Sequence, residues 1–160
     1  MGGRRVSEHI PEGVNSVGVY LVVGDANAAL QWYGDNLGAS EVMRLNGPGG
    51  HGVMHAELDI QGTLVMLADA NSEWGTAPPG ELSNFSLSVY VPDCDAVFDR
   101  CIAGGATALQ SMQDQFWGDR AGKLRDPFGH VWMIMTHKED VSPEEMQSRF
   151  AAMMAGPETG

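Results

Sequence analysis

The chain has 160 residues, enough for one domain with a sizeable core, and its 43% hydrophobic and 19% charged content is ordinary for a globular protein. Nine basic against 21 acidic residues give a net charge of −12. That balance argues against nucleic acid, which needs clustered Lys and Arg, and suits either a cationic partner or simple solubility. No apolar run reaches the ~20 residues of a membrane span, and no signal-peptide core opens the chain. The expectation is a cytoplasmic protein with no membrane partner.

Two segments repeat. Val22-Val23-Gly24-Asp25-Ala26-Asn27-Ala28-Ala29-Leu30 is echoed by Tyr90-Val91-Pro92-Asp93-Cys94-Asp95-Ala96-Val97-Phe98, with Asp25 and Asp93 in register 68 residues apart (93 − 25). After a one-residue gap, Gly38-Ala39 recurs as Gly105-Ala106. Each copy reads as strand, capped helix and three more strands. The predicted fold class is therefore α+β: two tandem βαβββ modules forming a curved mixed sheet around a cleft, plus a C-terminal helix.

In chain order, residues 1–16 form an N-terminal arm and 17–70 the first module. Val17–Val23 is a β-rich run, and Asp25 caps a helix whose apolar face is Ala26, Leu30, Tyr33 and Leu37. Gly38 ends that helix. Strands follow over 40–46, 53–60 and 63–70, and 71–83, with Pro78-Pro79-Gly80, is a linker. The second module spans 84–138. Phe85, Leu87, Val89 and Val91 alternate with Ser86, Ser88 and Tyr90. A helix from Asp93 to about Ala103 buries Val97, Phe98 and Cys101, before strands near 108–117, 121–126 and 130–137. Residues 139–160 form the tail. Ser142-Pro143-Glu144-Glu145 is a capping box, and Met146, Phe150, Met153 and Met154 give the tail helix an apolar stripe that must pack on its own domain or on a partner.

Cys94 and Cys101 share one predicted helix about 10 Å apart, too far to pair, and suit a reducing compartment. Neither has the surroundings of a nucleophile. Gly47-Pro48-Gly49-Gly50 lacks the Lys-Ser/Thr of a phosphate loop.

Ala29-Leu30-Gln31-Trp32-Tyr33, Leu37-Gly38-Ala39 and Asp126-Pro127-Phe128-Gly129-His130 resemble the vicinal oxygen chelate superfamily. That group includes glyoxalase I, extradiol dioxygenases and bleomycin-resistance proteins. His55-Ala56-Glu57-Leu58, Met66-Leu67-Ala68-Asp69, Asp114–Arg120 and the Thr136-to-Glu145 tail look like its PhnB-like branch. The resemblance implies a homodimer and, in the superfamily's enzymes, a divalent metal on four strand positions. Those positions carry over to Gly18, Met66, Ser86 and Met133, which cannot hold such an ion. A one-residue slip reaches Val17, Val19, Leu67, Phe85, Leu87, Trp132 or Ile134, none of which ligates. No metal and no cofactor are therefore expected.

The remaining candidates are side chains facing the cleft. His55 and Glu57 can form an acid/base pair, hold a ligand by hydrogen bonds, or sit on a solvated strand face; with His51 they can also be imagined around a metal. Tyr90, Trp117 and Trp74 can wall a planar or cationic ligand, whereas Trp32 and Trp132 fall in apolar patterns and read as core. Arg120, Lys123 and Arg125 can clamp an anion or pair with Asp114, Asp119 and Asp126, the pairing being favoured. The expected ligand contacts are His55, Glu57, Ser86, Ser88, Tyr90, Trp117 and Arg120. They point to a protein that binds a small organic molecule, such as an antibiotic or another cationic or aromatic compound, and sequesters it. The alternative is a lyase, isomerase or dioxygenase using His55 and Glu57 as catalytic residues. A third reading is an interaction module whose tail helix docks a partner.

Overall fold

A computed structural model describes residues 9–156. The first half of the expected arm and the last four residues lie outside that range. The chain divides into two compact units, with the boundary along the sequence between Gly80 and Glu81.

In the first unit, β1 (Val19–Val23) leads into α1 (Ala26–Leu37), then β2 (Ser40–Asn46), β3 (Val53–Ile60) and β4 (Thr63–Asp69). The sheet order is β1-β4-β3-β2, with β1 parallel to β4 and the other pairs antiparallel. Asp25 lies in extended backbone and its carboxylate accepts the Ala28 amide at 3.0 Å, so the helix starts where a side chain replaces a missing carbonyl. Gly38 ends it in the left-handed region at φ 68°, which costs glycine nothing. Leu21, Val23, Ala56, Leu58, Val65 and Leu67 are buried with Ala26, Ala29, Leu30, Tyr33 and Leu37 of the helix, forming the core of this unit.

The second unit repeats the plan with β5 (Leu87–Tyr90), α2 (Cys94–Ala103), β6 (Thr107–Asp114), β7 (Asp119–Arg125) and β8 (Val131–His137), ordered β5-β8-β7-β6. Asp93 caps α2 through the Ala96 amide at 3.0 Å. The one-residue gap between the repeats lies at the helix exits. Ala39 N returns six residues to Tyr33 O, whereas Ala106 N returns five to Cys101 O.

A second device closes each helix onto its sheet. The Asp69 carboxylate, at the end of β4, accepts the first helical amide, Ala26 N, at 2.6 Å and Val53 N at 2.7 Å. Thr136 does the same in the second unit, accepting Cys94 N at 3.0 Å and donating to Val91 O at 2.7 Å. Ala26 N and Cys94 N are each, in their own helix, one of the four first amides that an α-helix leaves without internal partners.

Several boundaries differ from the sequence expectation. The first strand begins at Val19, and Val17 is exposed. β6 ends at Asp114 because Gln115–Gly118 turns the chain, with Gly118 N bonded to Gln115 O and its φ at 100°. Phe85 precedes β5 and is half exposed rather than buried with Leu87, Val89 and Val91. The tail helix α3 (Pro143–Ala155) is capped by Ser142, but its stripe is not buried: Phe150 touches Phe116 at 5.3 Å between ring centroids, while Met153 and Met154 are exposed. Among the described residues no helix is long and apolar enough to cross a membrane.

Candidate functional site

Helix α1 covers one face of the first sheet; the other is open. The strand register sets out what lies on it. Tyr20 stands opposite Met66, Met66 opposite Glu57, and Glu57 opposite Met43, so these four side chains form one row across the sheet. His55 and Leu45 are paired in the next row. Tyr20, Met43 and Leu45 are each about half exposed, at 47%, 44% and 55%.

Within this face the polar groups are linked. The Tyr20 hydroxyl lies 2.9 Å from His55 Nδ1, and His55 Nε2 lies 3.4 Å from Glu57 Oε1. One imidazole tautomer satisfies both contacts: Nε2–H donates to the carboxylate and Nδ1 accepts the phenol. Burial raises the Tyr20 pKa, which keeps the phenol a donor. The result is a hydroxyl, an imidazole and a carboxylate in series, framed by thioethers and a leucine.

Tyr20 did not stand out in the sequence, because it sits in a β-rich run that reads as wholly buried. Its signal was alternation: it shares a parity with Gly18 and Val22, opposite to buried Leu21 and Val23.

In the second unit the corresponding rows run Ser88–Met133–Lys123 and Tyr90–Met135–Ala121, and in the latter Met135 and Ala121 are buried. Tyr90 and Trp117 meet at one carboxylate. Asp119 Oδ2 accepts the Tyr90 hydroxyl at 2.7 Å and the Trp117 indole N–H at 2.9 Å, while Oδ1 lies 2.7 Å from His137 Nδ1. Asp119 is only 4% exposed. Burial alone would raise its pKa, but the bonds from His137, Tyr90 and Trp117 outweigh that and hold it below the usual carboxylate range. Hydrogen bonding to Asp119 raises the Tyr90 pKa, and Asp119 followed by Asp140 raises that of His137.

The basic cluster separates. Arg120 makes a two-point contact with Asp95 on α2, at 2.7 and 2.8 Å, and reaches Asp114 at 3.1 Å. Asp95 is the partner that sequence spacing did not supply. Asp126 serves the loop instead: it accepts Phe128 N, His130 N and the Trp132 indole, each at 2.9 Å. That explains why Asp126-Pro127-Phe128-Gly129-His130 reads as a unit. Trp132 and Trp32 are buried. Trp74 is exposed and, with His51, Met54 and Asp69, lines a recess of about 300 Å³ in the first unit. Both cysteines are buried, and burial pushes the Cys101 thiol up to about 11, leaving it inert at neutral pH.

With this geometry in view, the profile of the glyoxalase/bleomycin resistance protein/dioxygenase superfamily matches residues 13–134. The chain belongs to that superfamily. The uncharacterized protein Mb0911c of Mycobacterium bovis is 35% identical over 142 residues, covering 86% of this chain and 93% of that protein. Among solved structures, TioX from Micromonospora sp. ML1 is similar at 28% identity with a TM-score of 0.61, covering 80% of this chain and all of that one. A PhnB protein from Bacillus cereus (18% identity, TM-score 0.63, 76% and 99% coverage) and the fosfomycin resistance protein FosX from Listeria monocytogenes (16%, 0.60, 82% and 97%) share the fold.

The superfamily's enzymes imply a divalent metal, and the donor set here does not fit one. Met66 and Met133 offer thioethers; Ser86, expected on the strand, precedes β5, and Ser88 is the residue opposite Met133; and a Cβ placed on Gly18 would stand 3.3 Å from the Met66 methyl, so that corner of the sheet is filled by carbon. Among the described residues no three His, Cys, Asp or Glu side chains group closely enough to hold an ion. His55 and Glu57 do come together, but His51 lines the recess beside Trp74.

Proposed function

We propose that this superfamily member binds a small organic molecule on the open face of its first sheet, without a metal ion, and returns it chemically unchanged. The observation that carries the reading is the Tyr20–His55–Glu57 series set beside exposed Met43 and Leu45. A few convergent polar groups in an apolar frame are what orient a small ligand. Glu57 and the net charge of −12 favour a cationic group, while the Tyr20 ring and the thioethers favour an aromatic body. In the second unit Ser88 and Tyr90 on β5 and Trp117 in the turn before β7 offer hydroxyl and aromatic contacts of the same kind, with Asp119 holding the last two in place. The protein acts as a homodimer. An antibiotic is one ligand of this description, and resistance by sequestration is the activity that would follow.

Thermal melting of the purified protein with bleomycin and a set of aromatic ammonium compounds tests this reading. A ligand at 100 times its dissociation constant stabilises the fold by about 2.7 kcal/mol, a readable shift. The bound compound should be recovered unchanged by mass spectrometry, and Glu57→Gln should weaken its binding. A tightly held, stoichiometric metal ion in the purified protein would overturn the proposal.

One observation favours a second reading. Both nitrogens of His55 are engaged, one by a hydroxyl and one by a carboxylate, which is also how a proton is passed. If the protein is an acid/base catalyst, Glu57→Gln should slow turnover by about 10²–10⁴ with little loss of binding. Conversion of the added compound, abolished in that variant, would establish the enzyme.

A further inference from the structure

The second unit contains a recess of about 340 Å³ whose character is opposite to the Tyr20–His55–Glu57 face. Lys123 and Arg125 both line it. They are two apart on β7, so their side chains leave the same side of the strand with about 6.6–6.8 Å between Cα atoms. In a chain with 21 acidic and only nine basic residues, two cations converge here and no carboxylate contributes to the lining. The Lys123 side chain makes no hydrogen bond or ion pair among the described residues, and its backbone is held in the ladder with β6 and β8.

The rest of the lining fits one kind of guest. Asn84 and Ser86 bring an amide and a hydroxyl to the recess, whereas Ser83 is occupied by the Phe85 backbone, donating to Phe85 O at 2.6 Å. Phe85 and Leu109 line the same space and are 48% and 47% exposed, so the apolar part of the wall is open to a guest. A volume of this size suits a small molecule rather than a lone ion.

We propose that this recess is a second binding site, for a small organic anion. Its carboxylate or phosphonate head would be held by Lys123 and Arg125 with Ser86 and Asn84, and its apolar body would lie on Phe85 and Leu109. Guanidinium and ammonium together supply the donors that such a head group requires.

Isothermal titration calorimetry with benzoate, phenylphosphonate, benzamide and inorganic phosphate tests the site. At least one aromatic anion should bind, and which one binds identifies the head group. Neutral benzamide should not bind, and inorganic phosphate should bind more weakly than the aromatic anion. Lys123→Gln should weaken binding about tenfold or more, Lys123→Arg should retain it, and Lys138→Gln should leave it unchanged. Glu57→Gln should also leave it unchanged, so failure here and failure of the first-sheet reading are separable. The proposal falls if neither anion binds, if benzamide binds as well as benzoate, if phosphate alone matches phenylphosphonate, or if Lys123→Gln binds normally.

Discussion

The two modules share a skeleton and differ in the face they leave open. Asp25 and Asp93 cap equivalent helices, and Asp69 and Thr136 each tie a helix start to the end of the last strand. The open faces diverge. Through the strand registers, the row Tyr20–Met66–Glu57 corresponds to Ser88–Met133–Lys123, so a phenol becomes a small hydroxyl and an acid becomes a base. Positions that set backbone direction are constrained by hydrogen-bond geometry in both copies. Positions on the open face answer only to whatever they meet, and there the copies have parted.

The largest break in the symmetry is inside the second unit. Trp132 stands at the position of Val65, and its indole N–H is received by Asp126, where the first unit has Ile60. Trp132→Ala should cost about 3–5 kcal/mol, as for other buried aromatic truncations. Val65→Ala should cost less, since fewer buried atoms are lost. Trp132→Phe would isolate the hydrogen bond: keeping most of the volume but removing the indole N–H from the buried Asp126 carboxylate should cost about 1–3 kcal/mol. Chemical denaturation of the three variants measures all three. Equal losses for Trp132→Ala and Val65→Ala would mean that the aromatic ring adds nothing to this core.

A finer comparison uses the two clasps at the helix starts. Asp69 is a charged acceptor serving two amides, and Thr136 is a neutral hydroxyl serving one. Asp69→Ala should therefore cost about 1.5–3 kcal/mol and Thr136→Val about 0.5–1.5 kcal/mol. Denaturation midpoints at constant slope would show it. If Thr136→Val is the more damaging, the Val91 carbonyl that Thr136 also satisfies is the dominant partner, and the clasps are not equivalent.

What could be read from the sequence follows the same division. Helices α1 and α2 were legible because capping residues, apolar spacing and glycine exits all agree within a dozen residues, and the duplication stated each of them twice. The tail helix was legible at its Ser142 cap, but its Met153 and Met154 stripe promised a burial that the chain itself does not supply. The polar networks were not legible. Asp119 gathers partners 29, 2 and 18 residues away, and Arg120 reaches back 25 residues to Asp95. No periodicity encodes such contacts; they appear only when β5, β7 and β8 lie side by side. His55 and Glu57 were the exception, because two residues apart on one strand always share a face.

The smallest expected effect lies in the Asp119–His137 contact. His137 is half exposed, so solvent screens much of the interaction, but its direction is fixed. Asp119 and Asp140 hold the protonated imidazole and raise its pKa. That contribution is complete below the ordinary histidine value of about 6.5 and is lost as pH rises through the higher folded value. Asp119 is shifted the other way: its contribution is present above the ordinary value of about 3.9 and is lost as pH falls through the lower folded one. Both act fully between about pH 4 and pH 6.5, so this contact should make the protein melt highest there and lose stability toward pH 8. His137→Gln should flatten the alkaline side while leaving the acid side, where Tyr90 and Trp117 still donate to Asp119. Melting curves from pH 4 to pH 8 for the two proteins would show the difference. An alkaline slope that survives the substitution would mean that Tyr90 and Trp117 alone hold Asp119 and that His137 is a bystander on the surface.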